Sequence, residues 1–144
     1  MGIFWGVVLV ILGLIGWGGQ LLSWLRPATA VRLGVMEAEE DVEPVFWVDI
    51  RAEAAWDSLV LWTLPVAGAL LLLDEPAWAY FGLVGGGMYL YFAGRGIFAR
   101  RTMQRRGMRI GDEQSVPMNV GFLALWGAVA AVTIVAALVA LPVP

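Results

Sequence analysis

Long uninterrupted apolar runs alternate with short charged stretches along this chain. Ile3 to Leu25 contains no charge, and a shorter run extends from about Trp56 to Leu73. Ala77 to Phe98 is uncharged except for Arg95, and Met118 to Leu141 is uncharged throughout. A helix that crosses a bilayer needs about 20 mostly apolar residues, with a range of roughly 17–25. In lipid only helices and closed barrels satisfy their backbone polar groups, and barrel strands alternate over about 10 residues instead of running continuously apolar. The expected fold is therefore all-α: an integral membrane four-helix bundle built from two antiparallel helical hairpins. The spans fall at about 3–25, 56–73, 77–98 and 118–141 of a single transmembrane domain, 1–144, with loops at 26–55 and 99–117. The first run is read as a retained span, because it is longer than the core of a secretory signal and no basic residue precedes it.

The polar stretches orient these spans. The first loop carries Arg26, Arg32 and Arg51, and the third carries Arg100, Arg101, Arg105, Arg106 and Arg109. The connection at Asp74-Glu75-Pro76 carries no cation, and neither does either chain end. The positive-inside rule then places both Arg-bearing loops in the cytoplasm and both termini outside. Trp5, Trp24, Trp47, Trp56 and Trp78 fall near predicted span ends, as an interfacial aromatic belt requires.

On the cytoplasmic side, acidic residues cluster from Glu37 to Glu43, a stretch that reads as irregular chain. Pro44 offers a helix start. From Val45 to Ser58, Asp49, Glu53 and Asp57 recur every four residues and share one helical stripe, beside Phe46, Trp47, Ile50 and Ala54. This predicts a short interfacial helix leading into the second span. Arg101, Arg105 and Arg109 recur with the same spacing beyond the third span. Counting outward from Glu75 sets Asp57 near the height of Arg95, and Asp49 level with Arg101. The expectation is an ion pair between Arg95 and Asp57, or Glu53 one turn away, since an unpaired charge within the bilayer costs about 2.5–3.5 kcal/mol at its centre. The same residues could line an inner gate. Arg100, Arg101, Arg105, Arg106 and Arg109 are candidates for binding anionic lipid headgroups.

Gly82, Gly85, Gly86 and Gly87 crowd the third span, where small residues admit close helix packing. The alternative is a helix break exposing carbonyls to a substrate. Pro65 should kink the second span, with Thr63 placed to cover a freed carbonyl.

Composition narrows the function. The chain is 60% hydrophobic and 15% charged, where soluble domains carry about 25% charged residues. It has no Cys and no His, and all nine basic residues are Arg. That removes thiol nucleophiles, thiolate and imidazole metal sites, a histidine base and a lysine Schiff base. No phosphate-binding loop is present. No enzyme, cofactor, metal or nucleic-acid partner is expected. Four spans also leave little room for a private substrate cavity, so assembly with other membrane subunits or with itself, through the glycines of spans one and three, is expected. The leading reading is a non-catalytic accessory or scaffolding subunit, or a structural homo-oligomer. The alternative is a small oligomeric channel or transporter gated by Arg95, Glu53 and Asp57.

Overall fold

The computed structural model describes residues 2–141. They are 81% helix and contain no strand. Six helices follow in order: α1 (Gly2–Leu25), α2 (Pro27–Arg32), α3 (Pro44–Val60), α4 (Thr63–Leu72), α5 (Trp78–Arg105) and α6 (Ser115–Ala140). Three helical segments are long and apolar enough to cross a membrane: Gly2–Leu25, Pro44–Leu72 and Ser115–Ala140. The 28-residue α5 matches them in length but is diluted by glycine, tyrosine and Arg95.

The helices pack in the order α1, α4, α5, α6, with α3 continuing the line of α4 against α1. Large apolar side chains face outward: Ile3 is 75% exposed, Phe4 73% and Val139 82%. A water-soluble surface seldom carries so much contiguous apolar area, whereas lipid requires it. The interior is built from small residues and a few large ones, with Leu9, Leu61, Leu64 and Tyr89 fully buried. Glycine makes this closeness feasible. A Cβ at Gly13 would lie 2.7 Å from the ring of Pro65, and one at Gly85 would lie 2.7 Å from the backbone nitrogen of Leu64. The start of α4 is thus wedged between α1 and α5.

Several boundaries refine the sequence reading. The helix expected from Pro44 into the second span is present, and it runs 17 residues as α3 before it breaks. The predicted bend falls at Leu61-Trp62, just ahead of Pro65. Pro65 has no N–H to offer the carbonyl of Leu61, which instead accepts from Leu64 at 3.4 Å. The Thr63 hydroxyl donates to Val60 at 2.8 Å, one carbonyl away from the one the proline frees. The first loop is also more ordered than its acidity suggests: Pro27 starts the short helix α2, and Glu39–Asp41 form a single 3-10 turn. The helix that holds the third apolar run continues past Phe98 to Arg105 as α5.

The two Arg-bearing loops meet. Val42 and Ile110 form an antiparallel bridge, and the Glu43 amide donates to the Arg109 carbonyl at 2.8 Å. Val42, Phe46, Ile110 and Val116 make a second small core beneath them. Asp112 accepts from the amides of Gln114 at 2.8 Å and Ser115 at 2.6 Å, which satisfies the free donors at the start of α6. These bonds hold its carboxyl below the ordinary aspartate range. A depressed folded-state pKa stabilises above the unfolded value and is lost as pH falls through the folded one. Asp112→Ala is accordingly expected to lower the melting temperature at neutral pH. The gap from the parent should close as acid protonates Asp112 in the parent.

Candidate functional site

Helix α3 carries its acidic stripe from its exposed start into the bundle. The Asp49 side chain is 27% exposed, that of Glu53 is 7% exposed, and Asp57 as a residue is 3% exposed. The four-residue spacing holds all three on the side of α3 that meets the bundle. Opposite them, Arg95 lies in the second half of α5.

Arg95 closes on two of the three. Its Nη2 lies 2.5 Å from Asp49 Oδ1 and donates a hydrogen bond to it. Its Nη1 lies 2.7 Å from Glu53 Oε1, out of hydrogen-bond alignment. The expected pairing with Asp57 is therefore corrected, while Glu53, the alternative one turn away, is in contact. Asp49 joins it instead of standing level with Arg101. The reason is reach: arginine is long enough to carry its charge more than a turn along the bundle, and it extends toward the polar end. An equal count of residues from the hairpin ignores that reach. Asp57 is left with a buried Oδ2 that has no hydrogen-bond partner.

The expected arginine stripe does not form as a unit. Arg101 and Arg105 lie on α5 and are exposed, whereas Arg109 lies past the helix end and the left-handed turn at Gly107 (φ +72°). Arg109 approaches Glu43 at 3.7 Å, and Arg106 caps the end of α5 and is exposed. Arg100 stands apart from these. It is half-buried, its guanidinium lies 5.6 Å from the Phe46 ring centre, and its Nη1 donates to the Gly96 carbonyl at 3.3 Å. No carboxylate lies within ion-pair distance of it among the described residues.

The glycines of α5 divide in the same way. A Cβ at Gly82, Gly85 or Gly86 would meet α6 or α4, whereas one at Gly87 meets nothing. Helix α5 runs unbroken through all four, so no carbonyl is opened there. Gly13 and Gly16 of α1 likewise face α4, Tyr89 and Trp126 of this same chain. The glycine faces proposed for lateral assembly are thus largely occupied within the molecule.

Other contacts left little trace in the pattern. The Tyr89 hydroxyl donates to the Gly13 carbonyl at 2.7 Å, Trp17 Nε1 to Ser58 at 2.8 Å, and Trp126 Nε1 to Leu12 at 3.0 Å. Arg51 donates to the carbonyls of Ser23 and Trp24, covering free acceptors at the end of α1. In the sequence these looked like apolar filler or topology signals. Their common clue is a polar-tipped side chain inside or beside an apolar run, where an unpaired donor is costly.

The bundle is also not solid. A cavity of about 500 Å³ lies between α1, α3, α5 and the first half of α6, contrary to the expectation of little interior volume. Its walls include Leu14, Phe92 and Trp126 at one end, and Glu37, Arg100 and Asn119 at the other.

No protein family, curated protein or solved structure matches this chain. The functional reading therefore stands on geometry and chemistry. No cluster of metal-ligating side chains occurs among the described residues.

Proposed function

We propose that this chain is a non-catalytic, four-span membrane protein serving as an accessory or scaffolding subunit, or as a structural homo-oligomer. Helix α5 supplies the fourth crossing. It follows α4 through the tight turn at Asp74-Glu75, so it must return through the layer that α4 entered. It packs against both α4 and α6, so much of its surface meets protein instead of lipid and tolerates glycine and tyrosine. The arginine bias between loops places the Arg-rich end in the cytoplasm and both termini outside.

The observation that carries the structural role is the closure of Arg95 on Asp49 and Glu53. The cation and the two carboxylates bind each other across α3 and α5 and act as a staple at the inner end. The catalytic inventory offers nothing beside them. A partner would dock on the outward apolar faces of α1 and α6, since the interior glycines are engaged.

One observation favours the second reading, a small channel or transporter: the buried Asp57 oxygen without a donor. Intramembrane carboxylates are costly and often mark ion paths. The two readings separate in proteoliposomes. The structural role predicts no ion flux, together with co-purification of a larger membrane partner or of a defined homo-oligomer from native membranes. Flux abolished by Asp57→Asn or Arg95→Ala would replace it with the transport reading.

A further inference from the structure

The cavity has an opening, a gradient of polarity and an unpaired cation. Helices α1 and α6 are tied at Trp126 and Leu12, but toward the Arg-rich end the cavity lies between them. Its rim is apolar and faces outward, with Ile15 57% and Phe122 50% exposed. In a bilayer that rim opens sideways into the acyl chains of the inner leaflet, if the arginines mark the cytoplasmic side. The volume of about 500 Å³ falls in the range of roughly 300–1,000 Å³ usual for small-molecule sites.

The polar end offers one cation with unused hydrogen-bond donors. Two carboxylates reach the cavity wall, Glu53 and Glu37. Glu53 shares the one Arg95 cation with Asp49. Glu37 lies beside Gly111 in the loop before α6, where a Cβ at Gly111 would come 2.8 Å from its carboxyl carbon. Arg100 feels Glu53, Asp49 and Glu37 from a distance, but no carboxylate is within ion-pair reach among the described residues, and one long bond to Gly96 leaves most of its five donors unused. A guanidinium in that state, held against the Phe46 ring at the mouth of an apolar shaft, is complementary to an oxyanion carried on a hydrocarbon chain.

We propose that the cavity is a lipid site. It takes one acyl chain of an anionic amphiphile from the surrounding leaflet, with the phosphate or carboxylate head on Arg100 and the chain running toward Phe92 and Trp126. The site differs from general attraction to a basic surface because Arg101, Arg105 and Arg106 are exposed and do not reach the cavity. It also does not depend on the accessory-subunit reading, and needs only that the chain lies in a membrane.

The test uses the full-length protein in phosphatidylcholine nanodiscs doped with a photoactivatable phosphatidic acid whose diazirine lies on the acyl chain. Cross-links are expected on α1 and α6 at the cavity rim, around Ile15 and Phe122. Arg100→Gln should reduce them by at least about tenfold, the worth of a lost charge-assisted bond, and Arg101→Gln should not. A second variant guards against misfolding by Arg100→Gln. Gly18 lines the cavity and a Cβ there meets nothing within 4 Å, so Gly18→Leu should fold and exclude the chain. Three results would overturn the proposal. The first is equal labelling by a neutral photoactivatable phosphatidylcholine. The second is labelling unaffected by Gly18→Leu. The third is full competition by inorganic phosphate, which would make the site one for a free anion.

Discussion

Arg95→Ala is expected to destabilise the protein by about 2–3 kcal/mol, measured by reversible unfolding in bicelles. Removing one member of a buried ion pair costs about 3–5 kcal/mol, because the remaining charge stays desolvated and unpaired. Here the Arg95 and Asp49 side chains keep 31% and 27% exposure, so water screens part of that loss. The loss should not be additive with its partners. In Arg95→Ala, the further change Glu53→Gln should recover stability, because it removes the carboxylate left behind. Coupling between Arg95 and Glu53 should exceed coupling between Arg95 and Asp57, which do not touch. A coupling near zero for both Glu53 and Asp49 would mean that the cluster is not a staple.

Gly85→Ala is expected to cost about 2–3 kcal/mol, a large effect for one methyl group. The added carbon would sit 2.7 Å from Leu64 N, 2.8 Å from Leu64 Cα and 3.0 Å from the Thr63 carbonyl carbon. All three are backbone atoms, so no side chain can swing aside to make room. Two residues on, Gly87→Ala meets nothing and should stay within about 0.5 kcal/mol of the parent or rise above it, since alanine is the better helix former. If both changes were silent, α4 and α5 would not be in backbone contact and the packing described here would fail. If both were harmful to the same degree, the glycines would matter as a flexible run and not as a contact face.

The contrast between Gly85 and Gly87 shows how far the sequence could be read. The run at 82–87 signals a small surface, but helix periodicity alone cannot say which of four neighbours faces α4, which faces α6 and which faces out. Helical character, the Pro44 start, the break near Pro65 and the hairpin at Asp74 were all legible, because each depends on local backbone chemistry. The packing of α3 on α1 was not, since its charged residues hide how much of it is covered. Arg95 was legible as a residue that needs an acidic partner on the preceding helix. Its choice of Asp49 and Glu53 over Asp57 depends on side-chain length and direction, which residue counting leaves out. The cavity was illegible for a related reason. It arises from where α1 and α6 fail to touch, and the absence of a contact leaves no pattern in either helix.

The account rests on an even number of crossings with the arginine loops together on one side. The chain has no cysteine, so single cysteines can be placed one at a time and labelled without background. The deciding measurement is labelling of Asp74→Cys, Glu39→Cys and Arg106→Cys by a membrane-impermeant maleimide in intact cells. Asp74→Cys should react at once, and Glu39→Cys and Arg106→Cys only after the membrane is permeabilised. Labelling of Asp74→Cys and Arg106→Cys from the same side would show that α5 does not cross, and would contradict the account.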